Sequence, residues 1–199
     1  MKFHRLLSTI LHPIVLPTLA VFFYFMLETQ SLEKRLKYVI IGLVVVLTYV
    51  IPLLLLIYLK KTKHIQSFEV TTIRERRFPI LFMIALFYFL GNIIIQIPTM
   101  RSLGILFYGT SLSLIFIYIL FSFKLKSSLH LVSMGNMIGF FIILGNINGI
   151  YLLPIIAIMI LLSGILASSR LYLKAHIPIE LLVGFFLGVF SQFLLFYML

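Results

Sequence analysis

YVIIGLVVVLTYVIPLLLLIYL, residues Tyr38–Leu59, contains no charged side chain. A helix needs about 20 mostly apolar residues to cross the hydrocarbon of a bilayer, so this run is long enough by itself. Six further apolar stretches occur at Pro13–Leu27, Pro79–Ile97, Leu103–Phe123, Leu131–Leu144, Ile150–Ala167 and Ile179–Met198. The first and fifth of the seven are short. The fifth gains length only if Ser133, Asn136 and Asn146 face other helices. The expected fold is all-α, a polytopic transmembrane helix bundle of six to seven spans, seven preferred. No polar segment is long enough to fold alone, which makes residues 1–199 a single domain.

Composition agrees. Of 199 residues 62% are hydrophobic and 11% charged, against about a quarter charged in soluble domains. Mean hydropathy is +1.20. There is no cysteine, which excludes disulfides, zinc–cysteine sites and a thiol nucleophile. The basic start Met1–Leu7 precedes an apolar run but no small-residue cleavage site, so the run reads as a retained span. The net charge of +11 fits loops that anchor a membrane protein to anionic lipid, rather than nucleic-acid binding. Membrane lipids are expected partners and nucleic acid is not.

Small residues four apart, Gly135/Gly139 and Gly184/Gly188, let helix backbones approach closely. Packing within the bundle is the expected use, with a homodimer interface as the alternative. Asn92 and Gln96, one turn apart, suit interhelical hydrogen bonds.

Polar breaks fall at Glu28–Lys37, Lys60–Phe78, around Arg101, at Lys124–His130, at Asn146–Gly149 and at Ser168–Ile177. Two spans separate each consecutive pair among 60–78, 124–130 and 168–177, so these three loops share one side. The first carries Arg74, Glu75, Arg76 and Arg77, the second Ser127, Ser128 and His130, the third Arg170, His176 and Glu180. Arginine forks bind phosphate oxygens bidentately. An imidazole can attack phosphorus while a carboxylate fixes its tautomer, and a second imidazole can protonate the leaving oxygen.

Each residue also has a plain structural reading. Pro178 suits the first position of the last helix, which makes Glu180 its third residue and a candidate for bonding back to the capping amide. Arg170 can snorkel from a helix end. Arg74–Arg77 can be a stop-transfer cluster, and Ser128 a helix cap. His4, His12 and His64 fit no pattern and are expected at the interface.

The third loop resembles the third signature of the type 2 phosphatidic acid phosphatase (PAP2) family, Ser-Arg, five residues, His, three residues, Asp. Here Ser169-Arg170, then Leu171–Ala175, His176, Ile177–Ile179 and Glu180 keep the spacing, with Glu for Asp. Ser128 and His130 resemble the end of the second signature. Arg77, separated from Pro79 by Phe78, resembles the first. The resemblance runs from about Arg74 to the C-terminus. It implies a membrane lipid phosphatase in which His176 is the nucleophile, Glu180 orients it, and His130 protonates the departing oxygen and then activates water. Arg170, Arg77, Arg74 and Ser128 would hold the phosphate, with Arg76 able to stand in for Arg77. The implied partner is a lipid phosphate or diphosphate substrate, with no cofactor and no metal. The rivals are a lipid phosphotransferase on the same site and a non-catalytic carrier or assembly protein. Pro79–Phe123 is apolar enough for two extra spans, or alternatively for an amphipathic cover.

By crossing number the opposite side holds only Lys34, Arg35, Lys37 and Arg101 of the chain's 16 Lys and Arg. Basic loops stay inside during insertion, which puts the loops with the candidate site in the cytoplasm. The resemblance alone implies a bacterial inner membrane with the site on its outer face.

Overall fold

The computed structural model describes residues 2–27, 32–68, 70 and 72–198. The predicted break at Glu28–Lys37 is therefore partly outside the described residues, as is Glu69. The elements are α1 (Lys2–Ile10), α2 (Leu16–Leu27), α3 (Lys34–Val45), α4 (Ile51–Lys61), α5 (Ile73–Ile95), α6 (Arg101–Leu120), α7 (Leu129–Asn148), α8 (Leu153–Tyr172) and α9 (Pro178–Met198). No strand occurs among the described residues. α3 and α4 form one run, Lys34–Lys61, through a π-helical turn at Val46–Val50. Pro52 explains the turn. It has no N–H to donate, and its ring would meet the carbonyl of Thr48 in a regular α-helix.

Six helical runs are long and apolar enough to cross a membrane: Lys34–Lys61, Ile73–Ile95, Pro98–Phe123, Leu129–Asn148, Leu153–Tyr172 and Pro178–Met198. The chain is an integral membrane protein. The seventh expected span is the short α2, 12 residues, about 18 Å at 1.5 Å per residue. Its Tyr24 hydroxyl nevertheless reaches the Thr99 carbonyl, 3.3 Å away, in the turn after α5. Pro79–Phe123 forms most of a helical hairpin, α5 and α6, rather than a surface cover.

α7 is the central helix and packs against α2, α6, α8 and α9. The outer helices turn Leu161, Phe186 and Phe190 outward, as a lipid-facing surface requires. The two glycine pairs meet each other inside the bundle. A Cβ on Gly135 would strike the Phe185 carbonyl, and one on Gly188 the Val132 carbonyl, so α7 and α9 touch backbone to backbone. Asn136 donates to Ser113 Oγ (2.8 Å) and accepts from Gln192 Nε2 (3.1 Å), which meets the need of a polar pair in an apolar interior. Asn92 accepts from the Tyr108 hydroxyl at 2.7 Å. Gln96 instead ends α5 at an exposed position, and Asn146 is exposed near the end of α7.

Candidate functional site

Residues of six helices, α1 and α4 to α8, line one cavity of about 280 Å³ together with the loops that carry His12 and His176. Its polar end carries Ser8, His12, Arg76, His130, Arg170 and His176. Apolar side chains continue it inward, from Pro79 through Met83 to Phe87 on α5. Arg76 to Phe87 spans about 16 Å along the helix axis. The three loops predicted to share a side do converge here.

Local sequence sets each part. α8 ends with Lys174 in the left-handed region, at φ 52°. The Ala175 amide donates to the Arg170 carbonyl (3.1 Å), and the Lys174 amide to that of Leu171 (2.9 Å). This Schellman turn satisfies the last carbonyls of the helix and brings the chain back so that His176 follows close on Arg170. Pro178 then opens α9, where its missing N–H costs nothing. Glu180 does not bond back to cap the helix. Its Oε2 accepts from His176 Nδ1 at 2.6 Å. Among the described residues no other histidine, lysine or arginine comes within ion-pair distance of a carboxylate. With Nδ1–H on the carboxylate, the lone pair of His176 lies on Nε2. Burial holds His176 below the usual imidazole range, at about 4, although the Glu180 hydrogen bond pulls the other way and Arg76 and Lys126 reinforce the fall. The ring is thus neutral at neutral pH, with its proton on Nδ1 and Nε2 free, as a nucleophile would need.

This pair makes a direct expectation. Glu180→Asp should retain activity within about tenfold. Glu180→Gln should lose far more, on the order of 10²–10⁴-fold, since an amide neither fixes the tautomer nor stabilises developing positive charge. Phosphate release measured for both variants decides it. Equal activity of Gln and Glu would reduce the residue to a helix element.

α5 begins earlier than its apolar stretch. Thr72 and Glu75 form a capping box, so Ile73 is already helical and Arg74–Arg77 lie in the first turns with Pro79 inside the helix. The 3.6-residue period then sorts the arginines. Arg76 shares the buried stripe with Ile80 and Phe87, whereas Arg74 and Arg77 are exposed and line no part of the cavity. Of the three arginines, Arg76 is the one that lines the cavity, the position where the sequence reading allowed it to stand in for Arg77. Arg76 Nε donates to the Val70 carbonyl (2.7 Å) and Nη1 to that of Ser127 (3.0 Å). Two of five donors are used, both on neutral oxygens, and among the described residues no carboxylate lies within ion-pair distance of this buried cation. Such a charge is costly unless an anion joins it. Val70 takes φ 45°, a strained conformation for a β-branched residue. Packing with Leu59 and Ile65 holds it there.

Arg170 is buried at the end of α8 and donates from Nη1 to Ser8 Oγ at 2.8 Å. His130, in the first turn of α7, has Nε2 3.1 Å from the Ser8 carbonyl and 3.3 Å from Ser8 Oγ. A carbonyl only accepts, so His130 carries its proton on Nε2. Ser128 precedes α7 but its hydroxyl makes no cap bond. The hydroxyl is buried and has no hydrogen-bond partner, while the Ser128 amide donates to the Glu180 carbonyl (3.1 Å). Ser128 is beside the cavity, not among its lining residues.

Ser8 and His12 belong to no signature. His12, expected at the interface, lines the cavity, whereas His4 packs on Tyr172 and bonds Ser169 at 3.0 Å. The spacing of His4 and Ser8, one turn apart, was the available signal for a polar face on α1. Lys126 donates to the Ala175 carbonyl at 3.4 Å. Burial, with Arg76 next, holds its pKa below the usual lysine value. No group of three His, Cys, Asp or Glu side chains able to hold a metal occurs among the described residues.

No family model, curated protein or solved structure matches this chain.

Proposed function

We propose that the chain is a membrane phosphohydrolase of the PAP2 kind, acting on a phosphate or diphosphate monoester whose leaving group is a lipid. One observation carries the reading: a histidine whose Nδ1 is engaged by a carboxylate at 2.6 Å lines the same cavity as two buried arginines and a second histidine. His176 Nε2 attacks phosphorus and forms a phosphohistidine. Arg76 and Arg170 hold the phosphoryl oxygens and neutralise the charge that develops on them. His130 serves the departing oxygen and then the incoming water. The apolar stretch toward Phe87 takes the first part of the lipid tail. A volume of about 280 Å³ is at the small end of ligand pockets, roughly 300–1,000 Å³, so most of the tail stays among lipids.

Purified protein given a panel of lipid phosphates in EDTA should release inorganic phosphate, because the arginines supply the positive charge. Phosphate passed to another lipid without release would mean a transferase. No phosphate chemistry on any member of the panel would leave a non-catalytic membrane protein.

The excess of Lys and Arg on the pocket side supports a cytoplasmic site in an inner membrane. Gln66→Cys, at an exposed position in the pocket-side loop, should resist a membrane-impermeant maleimide until cells are lysed. Labelling of intact cells or spheroplasts would reverse the orientation.

A further inference from the structure

α1 turns one stripe toward the bundle. His4, Leu7, Ser8 and Leu11 recur at three- and four-residue spacing, the period of a helix face, and Ser8 is the one buried residue of α1. An alanine or a leucine there would be enough for packing. A serine brings a hydroxyl whose hydrogen bonds must be found away from water.

Elsewhere the helices satisfy their own hydroxyls. Thr9, Thr110, Ser163, Ser169 and Ser191 each donate to the carbonyl four residues earlier, at 2.7–2.9 Å. Ser8 makes no such bond to His4. Among the described residues its hydroxyl oxygen meets only Arg170 Nη1, at 2.8 Å, and His130 Nε2, at 3.3 Å. A guanidinium has no lone pair to offer, so Arg170 donates and Ser8 Oγ accepts. The His130 Nε2–H is directed at the Ser8 carbonyl, 3.1 Å away, and shared with Oγ as a three-centre bond. Both lone pairs of Oγ are thus taken by donors. The hydroxyl proton is left without an acceptor among the described residues, on a side chain that lines the cavity.

Two donors on one oxygen polarise its O–H and strengthen it as a donor. Its partner is therefore an acceptor that comes from the cavity. Charge narrows the choice, because Arg76 and Arg170 line the same space and an anionic oxygen satisfies cation and hydroxyl together. Ser128, the hydroxyl that the sequence reading gave to phosphate, does not compete for this part, since it is buried outside the lining.

We propose that Ser8 is a phosphate-binding residue, its hydroxyl donating to an oxygen of the phosphoryl group that Arg170 holds. This rests on the phosphohydrolase reading above. α1 is then part of the site itself, and the first helix of the chain grips the substrate instead of only covering α8.

The test compares the wild type, Ser8→Ala, Ser8→Thr and Thr9→Val in detergent, with dodecyl phosphate as substrate and inorganic phosphate as competing ligand. Ser8→Ala should lose about 10- to 100-fold in kcat/KM, the range for a hydrogen bond to a charged partner. Inorganic phosphate should inhibit it at least tenfold more weakly. Ser8→Thr keeps the hydroxyl and should recover most of both. Thr9→Val removes a hydroxyl already bonded to Arg5 and should stay within threefold. Arg170→Met leaves no cation for Ser8 to support, and adding Ser8→Ala to it should still cost at least fivefold. No further loss there would make Ser8 a prop for Arg170 alone. That result, or unchanged inhibition of Ser8→Ala by phosphate, or a Ser8→Thr no better than Ser8→Ala, would overturn the proposal while leaving the phosphohydrolase reading intact. If Ser8→Ala does not fold, Ser8→Cys, similar in size and a weak donor, takes its place. If the wild type hydrolyses no lipid phosphate, the phosphohydrolase reading falls and the thermal shift on adding inorganic phosphate decides for Ser8. A shift lost in Ser8→Ala and kept in Ser8→Thr supports the contact. A shift absent from the wild type, or equal in Ser8→Ala, overturns it as well.

Discussion

Phosphate release is expected to fall by at least about 10⁴-fold in His176→Ala, because the proposed covalent intermediate forms on its Nε2. His176 is buried and bonded to Glu180, so removing it also deprives that carboxylate of its partner. His176→Asn separates the two effects, since its amide N–H can still reach Glu180. Both variants should elute from size exclusion as the wild type does, and both should be inactive. Turnover near wild type in either, on a folded protein, would refute the phosphohistidine mechanism. The pH dependence carries a sign. With His176 at about 4, its nucleophilic form persists down to about pH 4, and activity lost above pH 5 belongs to another group. For stability, a histidine whose folded pKa lies below its unfolded value takes up more protons when unfolded. Its contribution is present above about pH 6.5 and falls as the pH drops toward 4.

The arginines should divide just as sharply. Arg76→Gln is expected to lose about 10²–10³-fold in kcat/KM, the scale for losing a preorganised donor to a developing negative charge. Arg76→Lys should recover little, because an ammonium cannot hold the Val70 and Ser127 carbonyls and a phosphate with one planar fork. Arg74→Gln and Arg77→Gln should stay within threefold. These variants need only a kinetic comparison at matched protein concentration. A loss at Arg77 as large as at Arg76 would mean that the cation binding phosphate is not the one bonded to Val70 and Ser127.

The contrast between Arg76 and Arg77 also shows where the sequence was legible. Long apolar runs announced the helices because a bilayer leaves few other solutions. The His176–Glu180 spacing announced its contact because four residues across a Pro-initiated helix start put the two side chains on one face. The choice among Arg74, Arg76 and Arg77 depended on helical phase. Phase depended on where α5 begins, and Pro79 suggested a later start than the Thr72–Glu75 capping box gives. The box was readable, and extending its period to Ile80 and Phe87 would have selected Arg76. The parts played by Ser8 and His12 were not readable. They follow from α1 packing against the end of α8, a contact between residues 162 apart for Ser8 and Arg170, which no local pattern encodes.

That contact bears on how the chain is made. Ser8 and His12 leave the ribosome more than 160 positions ahead of His176 and Glu180. His12, Arg76 and His130 can be in the membrane while His176 is still unmade. The α8–α9 turn is local and forms quickly once synthesised, whereas joining α1 to α8 closes nearly the whole chain into a loop, the slower kind of event. The newborn protein therefore passes through a stage in which part of the cavity lining is present without His176. Its last hairpin and its first helix complete the site together, as a clasp closes a chain.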